Sequence, residues 1–538
     1  MQKLLLLGDE AVAQGAIDAG LSGIYGYPGT PSTEIMEYVQ RSKEAEERNI
    51  KRKWSANEKT AMEAALGLAY AGKRSMVCMK HVGLNVAADP FMNAAITGVN
   101  GGLIVAVADD PSMHSSQNEQ DSRFYGKFAL VPVLEPGNQQ EAYDMAYKGF
   151  ELSEKYRIPV MLRLTTRLSH SRAGVKRFSV KEQNKLILPE DPKQFVLLPS
   201  VARVRYKRLL ANQPNFGEES DSSGFNQYYD GEDKSLGIIA CGIAYNYLME
   251  NYPGRNINHP VLKLSQYPIP KKMIDRMTNE NKEILVLEDG APFVEEMLKG
   301  FQEKGTPVRG RLSGDIPRDG ELNPNIVGKA LGIEQKIGLP VPEVVKNRPP
   351  GMCKGCGHID VFNALIEALG EKLEGRVFSD IGCYTLGALP PFNAINSCVD
   401  MGASVTMAIG AADAGLFPSM AVIGDSTFTH SGITGLLDAV IKNSPITLII
   451  SDNLTTGMTG GQESTATGRL QSICEGLGVD PAHLRKIEPL KKHHDKNVKV
   501  LKEELDYHGV SVILAERECI QTAARKYKGG SKEATGCY

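Results

Sequence analysis

The stretch AVIGDSTFTHSGITGLLDAVIKNSPITLIISDNLTTGMTGGQ, residues 421–462, constrains the fold more than any other part of the chain. The apolar run 420–423 stops at Gly424-Asp425-Ser426, and a second run, 446–451, stops at Asp452-Asn453. Each reads as a buried strand feeding a polar turn, with a helix between the two. In open α/β sheets ligands bind at the carboxyl ends of strands, and Gly424, Asp425, Ser426 and Asn453 sit at such ends. Gly424 lets the backbone approach a ligand closely. Asp425, Asn453 and a nearby backbone carbonyl, that of Thr455, offer the hard oxygens that Mg²⁺ takes alongside water and phosphate oxygens. The turn from Thr455 through Gly457, Met458 and Thr459 to Gly461 adds hydroxyls and N–H groups suited to a diphosphate. A lone Gly-Asp-Ser is equally an ordinary solvated turn; the length of the pattern is what gives it weight.

The whole pattern resembles the magnesium and diphosphate motif of thiamine diphosphate (ThDP) enzymes. Its tail, Gly457-Met458-Thr459-Gly460-Gly461-Gln462, narrows the resemblance to the 2-oxoacid:ferredoxin oxidoreductases. The resemblance implies Mg²⁺ on Asp425, Asn453 and Thr455. It implies a cofactor cradle that includes Gly424, Ser426, Gly457, Met458 and Thr459.

At 538 residues the chain has room for about three domains. An apolar content of 42% and a charged content of 23% are ordinary for a globular protein. A formal charge of −3 gives no reason to expect nucleic acid or an anionic membrane as a partner. The opening MQKLLLLGDE has too short an apolar core for a signal peptide and reads as a buried first strand. No segment approaches the roughly 20 apolar residues of a membrane span, so a cytoplasmic location is expected. Nine cysteines, an odd number, argue against a disulfide framework.

Residues 1–195 alternate strand and helix, the pattern of a largely parallel sheet. The loop Tyr27-Pro28-Gly29-Thr30-Pro31-Ser32 precedes a helix expected over 34–40, with Ser32 or Thr33 as its cap. By itself this is a loop and an N-cap. It also resembles the start of the pyrimidine-binding domain of the ferredoxin oxidoreductases, which implies Thr30 beside the substrate. Glu58 lies just before an Ala-rich helix expected over 60–71, where the helix dipole alone favours a glutamate. The resemblance gives it a second role. ThDP enzymes need one buried carboxyl group that hydrogen-bonds or protonates N1′ of the aminopyrimidine, and Glu58 is placed for it, with Glu63 as the fallback. The stretch 80–121 resembles the large subunits of indolepyruvate:ferredoxin oxidoreductases, whose relatives line the active site with these loops. Arg123 or Arg163 would suit a substrate carboxylate, since a guanidinium binds it bidentately. His114 reads as a loop histidine.

Residues 196–234 break the pattern with the basic VARVRYKRLL and the acidic QPNFGEESDSSGFNQYYDGEDK, read as a solvated helix face and an exposed linker. Residues 235–340 resume the alternation, with strands expected at 236–241, 284–287 and 307–312, and resemble a transketolase C-terminal-type domain. A third domain is expected over 341–525, with a tail over 526–538. The expected architecture is α/β: two ThDP-binding-type, doubly wound parallel-sheet domains flanking the transketolase-like one.

The third domain opens with PPGMCKGCGH, in which Cys353 and Cys356 form a CxxC. By itself this fits a redox dithiol, half a zinc site or part of an iron–sulfur site. In cluster-bearing ThDP subunits of the superfamily, a CxxCG, a later Gly-Ile-Gly-Cys and a C-terminal cysteine hold one [4Fe–4S] cluster. Cys353, Cys356, Cys383 and Cys519 match in order, although Asp380 stands where that pattern has its first glycine. The resemblance also implies His358, Gly382, Cys383 and Tyr384 beside the cofactor. Cys78, Cys241, Cys398 and Cys474 read as structural, and His493-His494 as a solvated helix end. Typical large subunits of this kind continue into a domain with repeated CxxCxxCxxxC runs, and no such run occurs here. Either electrons leave through another subunit or the sequence has been cut.

The resemblance implies oxidative decarboxylation of indolepyruvate or another arylpyruvate to an aryl-acetyl-CoA, with CoA as co-substrate. Electrons would pass to ferredoxin or another iron–sulfur protein. A smaller β subunit would complete the enzyme as a dimer of heterodimers. The rival expectations are a non-oxidative ThDP decarboxylase or carboligase and a non-catalytic assembly subunit.

Overall fold

Strands made of unbroken apolar runs dominate the chain, and such strands are stable only when both sheet faces are covered by helices. The computed structural model describes residues 3–187, 194–252, 254, 256–300, 305–334, 338, 340–346, 351–398 and 400–527. The expected tail from 528 onward, Cys537 included, lies outside them. The chain divides into two units, Met1–Leu339 and Pro340–Tyr538.

In the first unit the strands are β1 (Lys3–Leu7), β2 (Gly23–Gly26), β3 (Lys51–Trp54), β4 (Ser75–Lys80), β5 (Leu103–Asp109), β6 (Val133–Leu134), β7 (Val160–Thr165) and β8 (Arg172–Lys176). They continue with β9 (Gln227–Tyr229), β10 (Gly237–Cys241), β11 (Val261–Leu264), β12 (Gln266–Tyr267), β13 (Ile284–Leu287) and β14 (Val308–Arg309). Among the described residues the larger sheet has the order β12-β6-β7-β5-β4-β2-β3, parallel except for β12. The second has the order β14-β13-β10-β11-β9, parallel except for β9. The antiparallel β12, which belongs to the stretch expected as the middle domain, completes the first sheet and ties the two together.

Two expectations change here. β1 is not an interior strand: it pairs antiparallel with β8 in a separate ribbon, with Leu6 buried and Leu5 66% exposed. The stretch 196–234 is not a bare linker. It forms the helices Pro199–Ala211 and Gln213–Ser222 and then β9, which pairs with β11. Leu209 and Phe216, seven residues apart, bury one stripe of this helical pair, and Phe216 packs edge-on against Tyr156. The polar composition of the segment conceals those two anchors. The basic residues Arg203, Lys207 and Arg208 face solvent, as expected.

The second unit holds β15 (Val377–Ser379), β16 (Ser397–Cys398), β17 (Ser419–Gly424), β18 (Ile446–Asp452), β19 (Leu484–Ile487) and β20 (Ser511–Glu516). Its sheet is wholly parallel in the order β16-β15-β17-β18-β20-β19. The order reverses direction about β15 and β17, a switch point of the kind that opens a crevice at the carboxyl edge. Gly424 lies beside Ser451, and Asp452 beside Glu516. The residues that follow β15, β17, β18 and β20 therefore gather along one edge. The fold is the α/β, parallel-sheet architecture expected. Among the described residues no helix is long and apolar enough to cross a membrane.

Candidate functional site

In the second unit the sheet edge is built around a tyrosine ring. A Cβ at Gly424 would come within 2.6 Å of the Tyr384 ring, and one at Gly382 within 2.2 Å. Both positions are glycine because Tyr384 fills the space. The Tyr384 hydroxyl donates to Asp380 Oδ1, while Asp380 Oδ2 accepts from Ser404 Oγ at 2.5 Å. Burial raises Asp380 to about 7 in spite of these bonds. The sequence marked Asp380 only as a departure from a pattern; its place directly after a strand, like that of Asp425, was the available signal of a structural role.

Asp425 is 2% exposed and its Oδ2 has no hydrogen-bond partner among the described residues. Burial first, and the Asp452 charge second, raise its carboxyl to about 7. An unpartnered buried carboxylate oxygen is costly, and a cation relieves the cost. The Thr455 N–H donates to Asn453 Oδ1 at 3.1 Å, and the Cys519 N–H donates to the Asn453 carbonyl at 3.0 Å. The loops after β18 and β20 are thus joined. The Gly-rich turn closes through Thr456 N–H to the Gln462 carbonyl at 2.9 Å. Gly460 and Gly461 take φ of 121° and 93°, values that favour glycine. Arg525 Nη1 donates to the Gly460 carbonyl at 2.6 Å and holds the turn from outside, a residue with no marking pattern in the sequence. The Ser426 and Thr456 hydroxyls are hydrogen-bonded at 2.9 Å. A Cβ at Gly457 would lie 3.2 Å from Cys383 Sγ and 3.5 Å from Asn453 Nδ2, so turn, cysteine and amide meet there.

Cys353, Cys356, Cys383 and Cys519 line one cavity together with His358 and Asn453. Cys356 Sγ is 3.1 Å from His358 Nδ1, and Gln521 Nε2 donates to Cys353 Sγ at 3.6 Å. Burial, reinforced by the neighbouring Cys353 and Cys519, pushes the Cys356 thiol up. Burial drives His358 down to about 4, so its ring is neutral. The cysteines converge, yet among the described residues no three His, Cys, Asp or Glu side chains stand as a ready metal-ligand group. Cys78, Cys241 and Cys474 are buried elsewhere in the chain.

In the first unit Asn57 Oδ1 accepts the Thr60 N–H at 2.9 Å and starts the helix Glu58–Tyr70. Glu58 is therefore its first residue, and it is 4% exposed. The fallback Glu63 faces solvent and pairs with Lys59. The Glu58 carboxyl lies against Gly83, where an added Cβ would come 2.5 Å from Oε1. Gly83→Ala should displace this flexible carboxylate and leave the backbone in place. Activity is expected to fall about 10-fold or more, the sensitivity of catalysis to a misplaced group, with the urea midpoint nearly unchanged. Parallel assays and unfolding curves check this.

Ser32 does not cap the following helix Thr33–Arg41; its Oγ donates to the Gly29 carbonyl at 2.7 Å, so that hydroxyl stiffens the loop instead. The Thr30 carbonyl accepts Ser115 Oγ at 3.2 Å, which links the loops after β2 and β5. Arg123 and Arg163 are not placed to bind a substrate carboxylate. Both are fully buried. Arg123 donates to Asp121 at 2.9 Å and to Glu288 at 3.0 Å; Arg163 donates to Asp109 at 2.6 Å, to Glu135 and to the Asp289 carbonyl at 2.7 Å. Their charges are spent inside the unit. His114 is a loop residue 3.4 Å from Glu321.

Residues 14–228 match the family described as pyruvate flavodoxin/ferredoxin oxidoreductase, thiamine diphosphate-binding. Residues 380–513 match the thiamine pyrophosphate enzyme C-terminal TPP-binding domain. Indolepyruvate oxidoreductase subunit IorA of Archaeoglobus fulgidus is 39% identical over 98% of this chain and 88% of its own length. The chain belongs to the IorA family. The IorA of Pyrococcus abyssi is 36% identical over 100% of this chain and 90% of its own. Among solved structures, a 2-oxoglutarate:ferredoxin oxidoreductase from Magnetococcus marinus aligns at 17% identity and a TM-score of 0.48, covering 57% of this chain and 62% of that one. The first family match runs through the helices Pro199–Ala211 and Gln213–Ser222, so the segment 196–228 goes with the first domain type.

Proposed function

We propose that the chain is the large subunit of an arylpyruvate oxidoreductase, with a pyrimidine-binding-type ThDP domain over 1–195, a transketolase-like domain over 235–340 and a diphosphate-binding-type ThDP domain over 341–525. The reaction is 2-oxo acid + CoA → acyl-CoA + CO₂ + 2 e⁻ + H⁺, the electrons leaving one at a time to ferredoxin or another iron–sulfur protein. A smaller subunit completes a dimer of heterodimers, in the cytoplasm. The observation that carries this reading is the near full-length identity to proteins named indolepyruvate oxidoreductase subunit IorA.

When bound, ThDP supplies the nucleophilic carbon and the electron sink for loss of CO₂. Glu58, only 4% exposed, would hydrogen-bond N1′ of the pyrimidine when ThDP is bound. Asp425 Oδ2, the Asn453 side chain and the Thr455 carbonyl hold Mg²⁺, and the unpartnered Asp425 oxygen supports that role. The Gly457–Gly461 turn, braced by Arg525, presents N–H groups to the diphosphate. Cys353, Cys356, Cys383 and Cys519 hold a [4Fe–4S] cluster in their shared cavity, and their convergence beside Asn453 and Gly457 supports an electron outlet close to the cofactor. The donors fit the groups in kind: oxygen for Mg²⁺, thiolates for iron.

The test is anaerobic purification with the smaller subunit, followed by assay with indolepyruvate or phenylpyruvate, CoA and a viologen acceptor. Iron and acid-labile sulfide are measured beside EPR after dithionite reduction. About four irons per large subunit, with the reduced signal lost in Cys353→Ser, is the expected result. ThDP-loaded protein without iron sinks the cluster assignment. Aldehyde formation without acceptor reduction would favour a non-oxidative decarboxylase, and no turnover of any 2-oxo acid an assembly subunit.

A further inference from the structure

Lys80 ends β4, and a Cβ at Gly29, beside Thr30, would come 3.2 Å from its side chain. Its Nζ donates to the Ser115 carbonyl at 2.6 Å, and Ser115 Oγ in turn donates to the Thr30 carbonyl at 3.2 Å. Three residues further on, Gly83 abuts the Glu58 carboxyl. Lys80, Thr30 and Glu58 thus frame the carboxyl edge of one sheet, a short helix apart.

Lys80 is 8% exposed and makes no ion pair among the described residues; its hydrogen bonds there go to Ser115 alone. Burial lowers it to about 8, against the attraction of Asp110, so it stays charged at neutral pH. Asp110 does not neutralise it directly. Its Oδ2 accepts from Ser116 Oγ at 2.5 Å and from the Ser115 N–H at 2.8 Å, and its Oδ1 from Thr166 Oγ1 at 2.6 Å. The next residue, His81, is 1% exposed, and neither ring nitrogen has a well-formed hydrogen bond among the described residues, though Asn118 lies close by. Burial, then the Lys80 charge, drive the imidazole to about 4, leaving a neutral ring with one N–H to donate.

A buried ammonium without a carboxylate and a buried imidazole whose ring nitrogens make no well-formed hydrogen bond among the described residues are both costly alone. Both costs fall when one anionic ligand with a second polar oxygen occupies the edge. We propose that the Lys80 ammonium binds the carboxylate of the 2-oxo acid, with the His81 N–H as donor to the same substrate. This rests on the reading of the chain as a 2-oxo acid oxidoreductase. It fills the role that Arg123 and Arg163, locked in internal ion pairs, cannot fill.

The test uses the complete enzyme with its smaller subunit, ThDP, Mg²⁺ and CoA, and compares wild type with Lys80→Met and Lys80→Arg. Lys80→Met is expected to raise KM for phenylpyruvate about 10- to 100-fold, the worth of a charge-assisted hydrogen bond. The ThDP Kd and the KM for CoA should not move, and Lys80→Arg should restore much of the loss. Wild type should bind phenylpyruvate far better than its methyl ester as measured by competition, and Lys80→Met should lose that preference. A residue that only staples Ser115 and Thr30 would not change the acid-to-ester ratio. An unchanged ratio in an active Lys80→Met enzyme overturns the assignment while the functional reading stands. Wild-type enzyme that turns over no 2-oxo acid overturns both.

Discussion

Glu58→Gln should leave the enzyme folded and able to bind ThDP while kcat for arylpyruvate falls by about 10²- to 10⁴-fold, the usual contribution of a positioned acid–base group. Glutamine has the shape of glutamate, so the contact with Gly83 survives and the Asn57 cap is untouched. What is lost is a group that can hold or give up a proton inside a dry pocket. Because uniform binding is preserved, the loss should appear in kcat and kcat/KM together. Glu63→Gln is the matched control; that side chain faces solvent beside Lys59 and should cost less than about 0.5 kcal/mol in stability, as surface changes do, with activity unchanged. Calorimetric titration of ThDP, run beside the assay, separates lost chemistry from lost cofactor. A Glu58→Gln enzyme with more than a tenth of wild-type kcat would remove this residue from the chemistry.

Much of this edge was legible in the sequence because strand ends are legible. Apolar runs that stop at an acidic residue announce both a buried strand and the polar groups at its carboxyl end; 446–451 lies within β18 and 284–287 coincides with β13. Glu58 was legible through the resemblance, whereas its helix, expected from 60, begins at 58 because Asn57 caps it. What escaped the sequence depends on long-range charge pairing. Arg123 and Arg163 look like ligand-binding arginines in a polar loop and at a strand. Only the return of 288–289 against β5 and β7 reveals that their partners lie within the unit. The same blindness hid Lys80, which sits in an apolar strand and has no sequence neighbour that marks its charge as unpaired. The helices over 199–222 were missed for the opposite reason, since two apolar anchors do not outweigh an acidic composition until the surface they cover is known.

Removing the Arg163 guanidinium should be the most damaging single change to the first unit. Arg163→Met is expected to cost about 3–5 kcal/mol, the range for breaking a buried ion pair from one side, read as a lower urea midpoint for the first unfolding transition. The reason is what remains behind. Asp109 is left in the interior without its ion-pair partner, Glu135 keeps only the longer ion pair, 3.7 Å, to Arg123, and the Asp289 carbonyl loses its donor. Burial already holds Asp109 above the usual carboxylate range against the pull of Arg163. Without the guanidinium its pKa rises further, so the folded variant keeps a proton that the unfolded chain has released. Stability of a group raised in this way is lost as pH rises through its folded pKa. The deficit of Arg163→Met should therefore be larger at pH 8 than at pH 6. Lys59→Ala, which removes an exposed pair, should cost less than about 1 kcal/mol at either pH. Because Asp109 also accepts the Ser122 N–H at 3.0 Å and precedes the loop that carries Ser115, the variant should lose activity at urea concentrations where its helices remain folded. An Arg163→Met protein with wild-type stability at pH 8 would mean that the network is not what binds the two sheets of this unit together.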